Sequence, residues 1–116
     1  MGIAIKRIYE EPAPGDGARI LVDRLWPRGV SKERAKLDLW LKDIAPSTGL
    51  REWFGHDPKR WIGFQNKYKI ELANNEEPVA ALKKIARQNK TVTLLYAAKD
   101  EEHNEAVVIS HLLSGK

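Results

Sequence analysis

The sequence predicts an α/β fold: a small, three-layer-like domain over residues 1–116, with a short, mostly parallel sheet and about four to five helices. Three observations lead there. Arg19–Asp23 (RILVD) and Thr91–Ala97 (TVTLLYA) are nearly continuous aliphatic runs, the pattern of strands covered on both faces. Several helical segments lie between them, and a crossover of that length favours parallel strands joined in a right-handed sense. A chain of 116 residues also buries roughly two-thirds of its unfolded surface, so it needs neither metal nor disulfide for a core.

Taken in order, Ile3–Tyr9 reads as a first strand, with Ile3 and Ile5 alternating against Ala4 and Lys6. Glu10–Gly17 (EEPAPGDG) is a turn-rich loop too short for a helical crossover, which leaves the pairing of the first two strands open. After Asp23, the tetrapeptide Trp26-Pro27-Arg28-Gly29 breaks the chain: Pro27 fixes the backbone and admits a cis bond, and Gly29 admits a positive φ. Ser31 is expected to cap a short helix. Asp38–Ile44 is ambiguous between extended and helical, and the Leu37–Ile44 region is the candidate fourth strand. Ser47 or Thr48 caps a helix through Phe54 that Gly55 closes.

Asp57-Pro58 opens a helix to about Ala73, with Trp61, Phe64, Tyr68 and Leu72 on one stripe and Asn74-Asn75 at its end. Pro78 begins the next, to about Gln88, burying Val79, Leu82, Ile85 and Ala86. Asp100 is expected to cap the last helix, to about Leu113, with Val107, Ile109, Leu112 and Leu113 inward.

Composition narrows the class. Apolar residues make up 42% and charged residues 31%, an ordinary globular balance rather than a disordered one. Cysteine is absent, which excludes disulfide scaffolds, thiolate zinc sites and a cysteine nucleophile. Met1–Glu10 alternates apolar and charged residues without a signal-peptide stretch, and no window approaches about 18 consecutive apolar residues. A cytoplasmic location in a microbe, with no membrane partner, is therefore expected.

Charge is uneven. Twenty Lys and Arg against sixteen Asp and Glu give +4, and Arg24–Lys36 alone carries Arg24, Arg28, Lys32, Arg34 and Lys36 against Glu33. Such a cluster either concentrates anions or simply solvates a surface. The later basic runs, Lys59 to Lys69 and Lys83 to Lys90, have the spacing of exposed helix faces. The balancing acids gather at Asp100, Glu101, Glu102 and Glu105.

Open α/β sheets place ligands beyond the carboxyl ends of their strands. If the two aliphatic strands are parallel neighbours, Asp23–Gly29 and Tyr96–Asn104 emerge on one edge. The candidate ligand-binding residues there are Arg24, Trp26, Arg28 and Tyr96; the candidate catalytic residues are Asp23, Lys99 and Asp100. A guanidinium offers a planar donor fork suited to phosphate or carboxylate, although an internal salt bridge would use it equally well. Asp23 either ties down the following loop or orients a ligand group. Asp100, Glu101 and Glu102 would complement a helix N-terminus, leaving Lys99 to reach an anion or pair with an acid. Asp100 with His103 is a weaker acid–base pair.

His56, His103 and His111 show no metal-ligand spacing, no G-x-S-x-G occurs, and no cofactor or metal is expected. Trp26, Trp40, Trp53 and Trp61 read as core or half-buried anchors rather than base-stacking platforms, with Trp26 the exception because it interrupts a polar loop.

The run from Asp16-Gly17 through Arg19-Ile20-Leu21-Val22-Asp23-Arg24-Leu25-Trp26-Pro27-Arg28-Gly29 resembles the signature of the DUF488 family, in its short YeaO-like branch. Leu39-Trp40, Ala45-Pro46-Ser47-Thr48, Leu50-Arg51 and Leu94–Lys99 fit the same pattern. The resemblance implies a small bacterial or archaeal cytoplasmic α/β domain and brings no established activity. Some members carry a transcriptional-regulator label, but no helix-turn-helix with a basic recognition helix is visible here. Longer relatives place a cysteine after the last strand, where this chain reads Tyr96-Ala97-Ala98-Lys99.

The expectation is thus a small-ligand domain, a binding protein or an enzyme, whose cleft takes a phosphate-bearing or other anionic molecule. The alternatives are a nucleic-acid-binding module using the Arg24–Lys36 face and an interaction domain without a small ligand.

Overall fold

The computed structural model describes residues 2–115. Four strands, β1 (Gly2–Arg7), β2 (Ala18–Leu21), β3 (Leu39–Trp40) and β4 (Thr91–Tyr96), form one wholly parallel sheet in the order β1-β4-β2-β3. Five helices accompany it: α1 (Lys32–Ala35), α2 (Thr48–Phe54), α3 (Trp61–Ala73), α4 (Glu76–Gln88) and α5 (Glu105–Leu113).

Hydrophobicity decides the strand order. β4 and β2 are buried on both faces and take the centre, whereas β1 alternates, carries Lys6 and Arg7, and takes an edge. The first two strands are therefore not paired; β4 lies between them, and β3 supplies the fourth strand.

Successive residues of a strand point to opposite faces. One face gathers Ile20, Val22, Val92, Leu94 and Tyr96 under Phe54, Phe64, Tyr68, Leu82 and Ile109 from α2–α5. The other presents Leu21 and Leu95 to Ile8, Val30 and Ala35, with Trp26, Leu37 and Trp40 packed around them. The second layer is thus α1 and the loops flanking it rather than a sheet of helices.

The caps explain the boundaries. Ser31 Oγ accepts from the Arg34 amide at 3.1 Å, and Ser47 Oγ accepts from Leu50 at 3.1 Å, which settles Ser47 over Thr48. Asp57 accepts from Lys59 and opens a short 3₁₀ turn, Pro58–Arg60, ahead of α3. Two expectations shift. α4 begins at Glu76, two residues before Pro78. α5 begins at Glu105, capped by Asn104 Oδ1 on the Val107 amide at 3.2 Å, so Asp100 is not its cap. Its buried residues are Ala106, Val108 and Ile109, while Val107, Leu112 and Leu113 are half-buried. Trp26–Pro27 is trans, and Gly29 has φ 78°. No helix among the described residues is long and apolar enough to cross a membrane.

At the start of β2 a polar knot is built into the second face. The Asp16 carboxylate accepts from Arg19 at 2.6 Å, Lys6 at 3.1 Å and the Ala13 amide at 3.0 Å. Burial alone would push that carboxyl up; the Ala13 N–H, the Lys6 ammonium and the Arg19 guanidinium outweigh it and hold it below its usual range. Arg19 spends its remaining N–H groups on the Ala35 and Lys36 carbonyls, which close α1 onto the sheet.

Gly17, at φ 64°, threads between this knot and β4: a Cβ there would stand 2.1 Å from the Thr91 carbonyl oxygen. Gly17→Ala should therefore lower the unfolding free energy by about 2–5 kcal/mol, from backbone strain plus overpacking. Gly15→Ala, whose Cβ meets nothing within 4 Å, should stay within about 0.5 kcal/mol. Urea unfolding of both variants checks this, and equal losses would contradict the close approach at residue 17.

Candidate functional site

β2 and β4 are adjacent and parallel, but the chain leaves them in opposite directions. After β2 it turns to the face of α1, Val30 and Trp26; after β4 it turns to the face of α5. Diverging connections open a crevice at the carboxyl ends of such a strand pair. A cavity of about 320 Å³ occupies it, lined from the β2 side by Asp23, Arg24, Trp26, Pro27 and Arg28. Ala97, Ala98, Asn104 and Glu105 line it from the β4 side, and Ala45, Pro46, Arg51, Phe54, His56 and Phe64 close the remainder.

The cavity wall is held by hydrogen bonds to the main chain. Asp23 accepts from the Ala97 amide at 2.9 Å, tying the end of β2 to the end of β4. The Trp40 indole N–H donates to the Asp23 carbonyl at 2.7 Å, and that of Trp26 to the Val30 carbonyl at 2.6 Å. The two indoles meet edge to face at 5.3 Å, so Trp26 braces the bend while one side of it lines the cavity. From β1, Arg7 donates to the Ala98 carbonyl at 3.0 Å, steadying the same strand end.

The Arg24 side chain runs inward and donates through one terminal nitrogen to the Ala45 carbonyl at 3.1 Å; its buried Nε has no partner. Arg28 and Arg51 line the cavity from exposed positions. Among the described residues none of these three guanidiniums forms a salt bridge.

Asp23 and Glu105 form the opposite pole. Their carboxyl groups lie within hydrogen-bonding reach, and burial, followed by that contact and the Asp23 charge, pushes the Glu105 carboxyl well above the usual range. Two carboxylates that close cannot both ionise cheaply, so the pair favours the protonated form of Glu105.

Of the residues singled out in the sequence, Asp23, Arg24, Trp26 and Arg28 come together on this cavity. Tyr96 is buried on the helical face, its phenol raised by burial with Glu101 and Glu10 adding to the effect. Lys99 is exposed and, like Asp100, does not line the cavity. Asp100 instead closes a turn, accepting from the Glu102 amide at 2.9 Å, the His103 amide at 3.0 Å and His103 Nδ1 at 2.9 Å. The Glu102 amide, then His103, hold its carboxyl below the usual range. The acids at 100–102 precede α5 and do not occupy its first turn.

Arg51 and Glu105 are site residues that the sequence reading did not single out. Glu105 is hidden by the choice of cap: with Asp100 as cap it is one more exposed acid, whereas Asn104 as cap makes it the first residue of α5. The cue is Asn104 itself, a residue type that caps well, standing directly before Glu105.

Glu105 gives a pH signature. Because its folded pKa is raised above the unfolded value near 4.3, wild-type stability is fully present below that value and declines as pH rises through the folded pKa. Glu105→Gln keeps the shape and a donor to Asp23 but cannot ionise. Its melting temperature should match wild type near pH 4 and exceed it as pH rises above the unfolded value, levelling off once the folded pKa is passed; a gap that is constant with pH from 4 upward would contradict a raised Glu105.

Residues 2–116 match the family model described as "Inactive DUF488-N3 subclade". The uncharacterized protein YeaO of Escherichia coli (strain K12) is 43% identical over 113 residues, covering 97% of each chain. The uncharacterized protein Rv3073c of Mycobacterium tuberculosis (strain ATCC 25618 / H37Rv) is 38% identical over 114 residues, covering 98% of this chain and 95% of its own. No solved structure matches. With a family match across nearly its whole length and two such relatives, this chain belongs to the inactive DUF488-N3 subclade of the DUF488 family.

Proposed function

We propose that this chain is a binding domain for a small anionic molecule, phosphate-bearing or carboxylate, held without turnover in the crevice at the ends of β2 and β4. One observation carries the reading: Arg24, Arg28 and Arg51 share a single cavity, and none is neutralised by a carboxylate among the described residues. An unpaired guanidinium is costly to desolvate, and the planar fork matches the oxygens of a phosphate or carboxylate. At about 320 Å³ the cavity lies at the small end of the range for small-molecule sites.

Binding is favoured over catalysis by the family's description as inactive and by a strand end reading Tyr96-Ala97-Ala98-Lys99, without a thiol. The basic stretch 24–36 supports a nucleic-acid face less well, since its members diverge. Arg24 turns inward, and Arg34 reaches back to the Tyr9 carbonyl at 3.4 Å.

A thermal-shift panel of inorganic phosphate, sugar phosphates, nucleotides and dicarboxylates at constant ionic strength tests this. A ligand at one hundred times its Kd should raise Tm by on the order of 10 °C. Arg28→Ala and Arg51→Ala, both at exposed positions, should fold normally and lose most of that gain. General salting-out would persist in the variants, so an equal rise in all three proteins counts against the site. A flat panel combined with a steeply salt-dependent rise on short DNA or RNA would favour the nucleic-acid reading instead.

A further inference from the structure

We propose, building on the anion reading above, that the ligand is a small zwitterion: its phosphate or carboxylate meets Arg24, Arg28 and Arg51, and its amine sits on the Asp23–Glu105 carboxyl pair. The cavity keeps its two kinds of charge separate. Three guanidiniums and two carboxyl groups line one cavity, yet no ion pair joins the two sets among the described residues. A main-chain anchor holds one member of each set. Asp23 is pinned to the Ala97 amide at 2.9 Å, and Arg24 is drawn to the Ala45 carbonyl at 3.1 Å. A cavity with separate, uncancelled poles is complementary to a molecule carrying both charges.

A simple anion satisfies only half of it and must lie in the same crevice as the acids. A metal ion fits the acid pole poorly, because no group of three or more His, Asp or Glu that could hold one occurs among the described residues. Burial and the neighbouring Asp23 favour the protonated form of Glu105 in the empty cavity; a cationic amine seated on the pair favours the carboxylate instead, so any proton Glu105 holds passes to solvent. The groups facing the pair are Arg24 from the end of β2, Tyr68 from α3 and Tyr96 from β4, with Arg51 and His56 across the cavity. Guanidiniums and phenols of ordinary type keep their charge state at pH 7.5, so His56 is the residue to control.

The test is calorimetric titration of the full chain at pH 7.5, in two buffers of different ionisation enthalpy. It uses matched pairs: O-phosphoethanolamine against ethyl phosphate, and γ-aminobutyrate against butyrate. In at least one pair the amine-bearing member should bind about tenfold more tightly or better, as expected for one charge-assisted contact away from water. It should also release more protons on binding than its partner. Glu105→Gln should abolish that extra release while still binding the simple anion, and His56→Gln should leave the release intact. Equal affinities and equal proton counts within both pairs would overturn the zwitterion assignment and leave the anion site standing. No binding by either pair would overturn both.

Discussion

The pairing of β2 with β4 is the constraint from which the rest of the molecule follows. It sets two short apolar strands at the centre, where both faces must be covered, and it draws one helical layer and one loop layer to opposite sides. Because the chain departs from these strands towards opposite faces, their carboxyl ends cannot be closed by a single connection. Asp23 bridges the gap to the Ala97 amide, and the crevice beside that bond carries the charged side chains. Fold and site therefore share a cause.

Polar groups in this protein are paired in two contrasting ways. Near the start of β2, Asp16 pairs with both Arg19 and Lys6, and Asp16 and Arg19 use main-chain partners for the rest, so removing Asp16 would strand a buried guanidinium at a cost of about 3–5 kcal/mol. At the other end of the strand no ion pair joins the arginines to the acids among the described residues; Arg24 is drawn to a carbonyl and Asp23 to an amide. A knot of the first type locks structure. A separation of the second type leaves charge available to something that enters.

Much of this was legible in the chain. The RILVD and TVTLLYA runs announce central strands, and their parallel sense follows from the helical crossover between them. That placed Asp23–Gly29 beside Tyr96–Asn104, which the sheet register bears out. Local cues could not choose between Asp100 and Asn104, since both are good caps and both accept backbone hydrogen bonds. Burial of Ala106, Val108 and Ile109 decides the matter, and burial is a property of the whole fold. The same reason hides Arg51: in TGLREWF it reads as a surface residue, and only the seating of α2 beside the crevice gives it a role. The position of β4 between β1 and β2 was likewise beyond local pattern, because it depends on which strand has two apolar faces to bury.

The most direct measurement is the arginine Nε–Hε NMR spectrum during a phosphate titration at fixed ionic strength. Arg24 Nε is buried and unpartnered, so its signal should stand apart from those of surface arginines. A guanidinium-lined site predicts saturable shifts confined to Arg24, Arg28 and Arg51. Small, unsaturating shifts spread over Arg34, Arg60 and Arg87, with Arg24 unmoved, would contradict it.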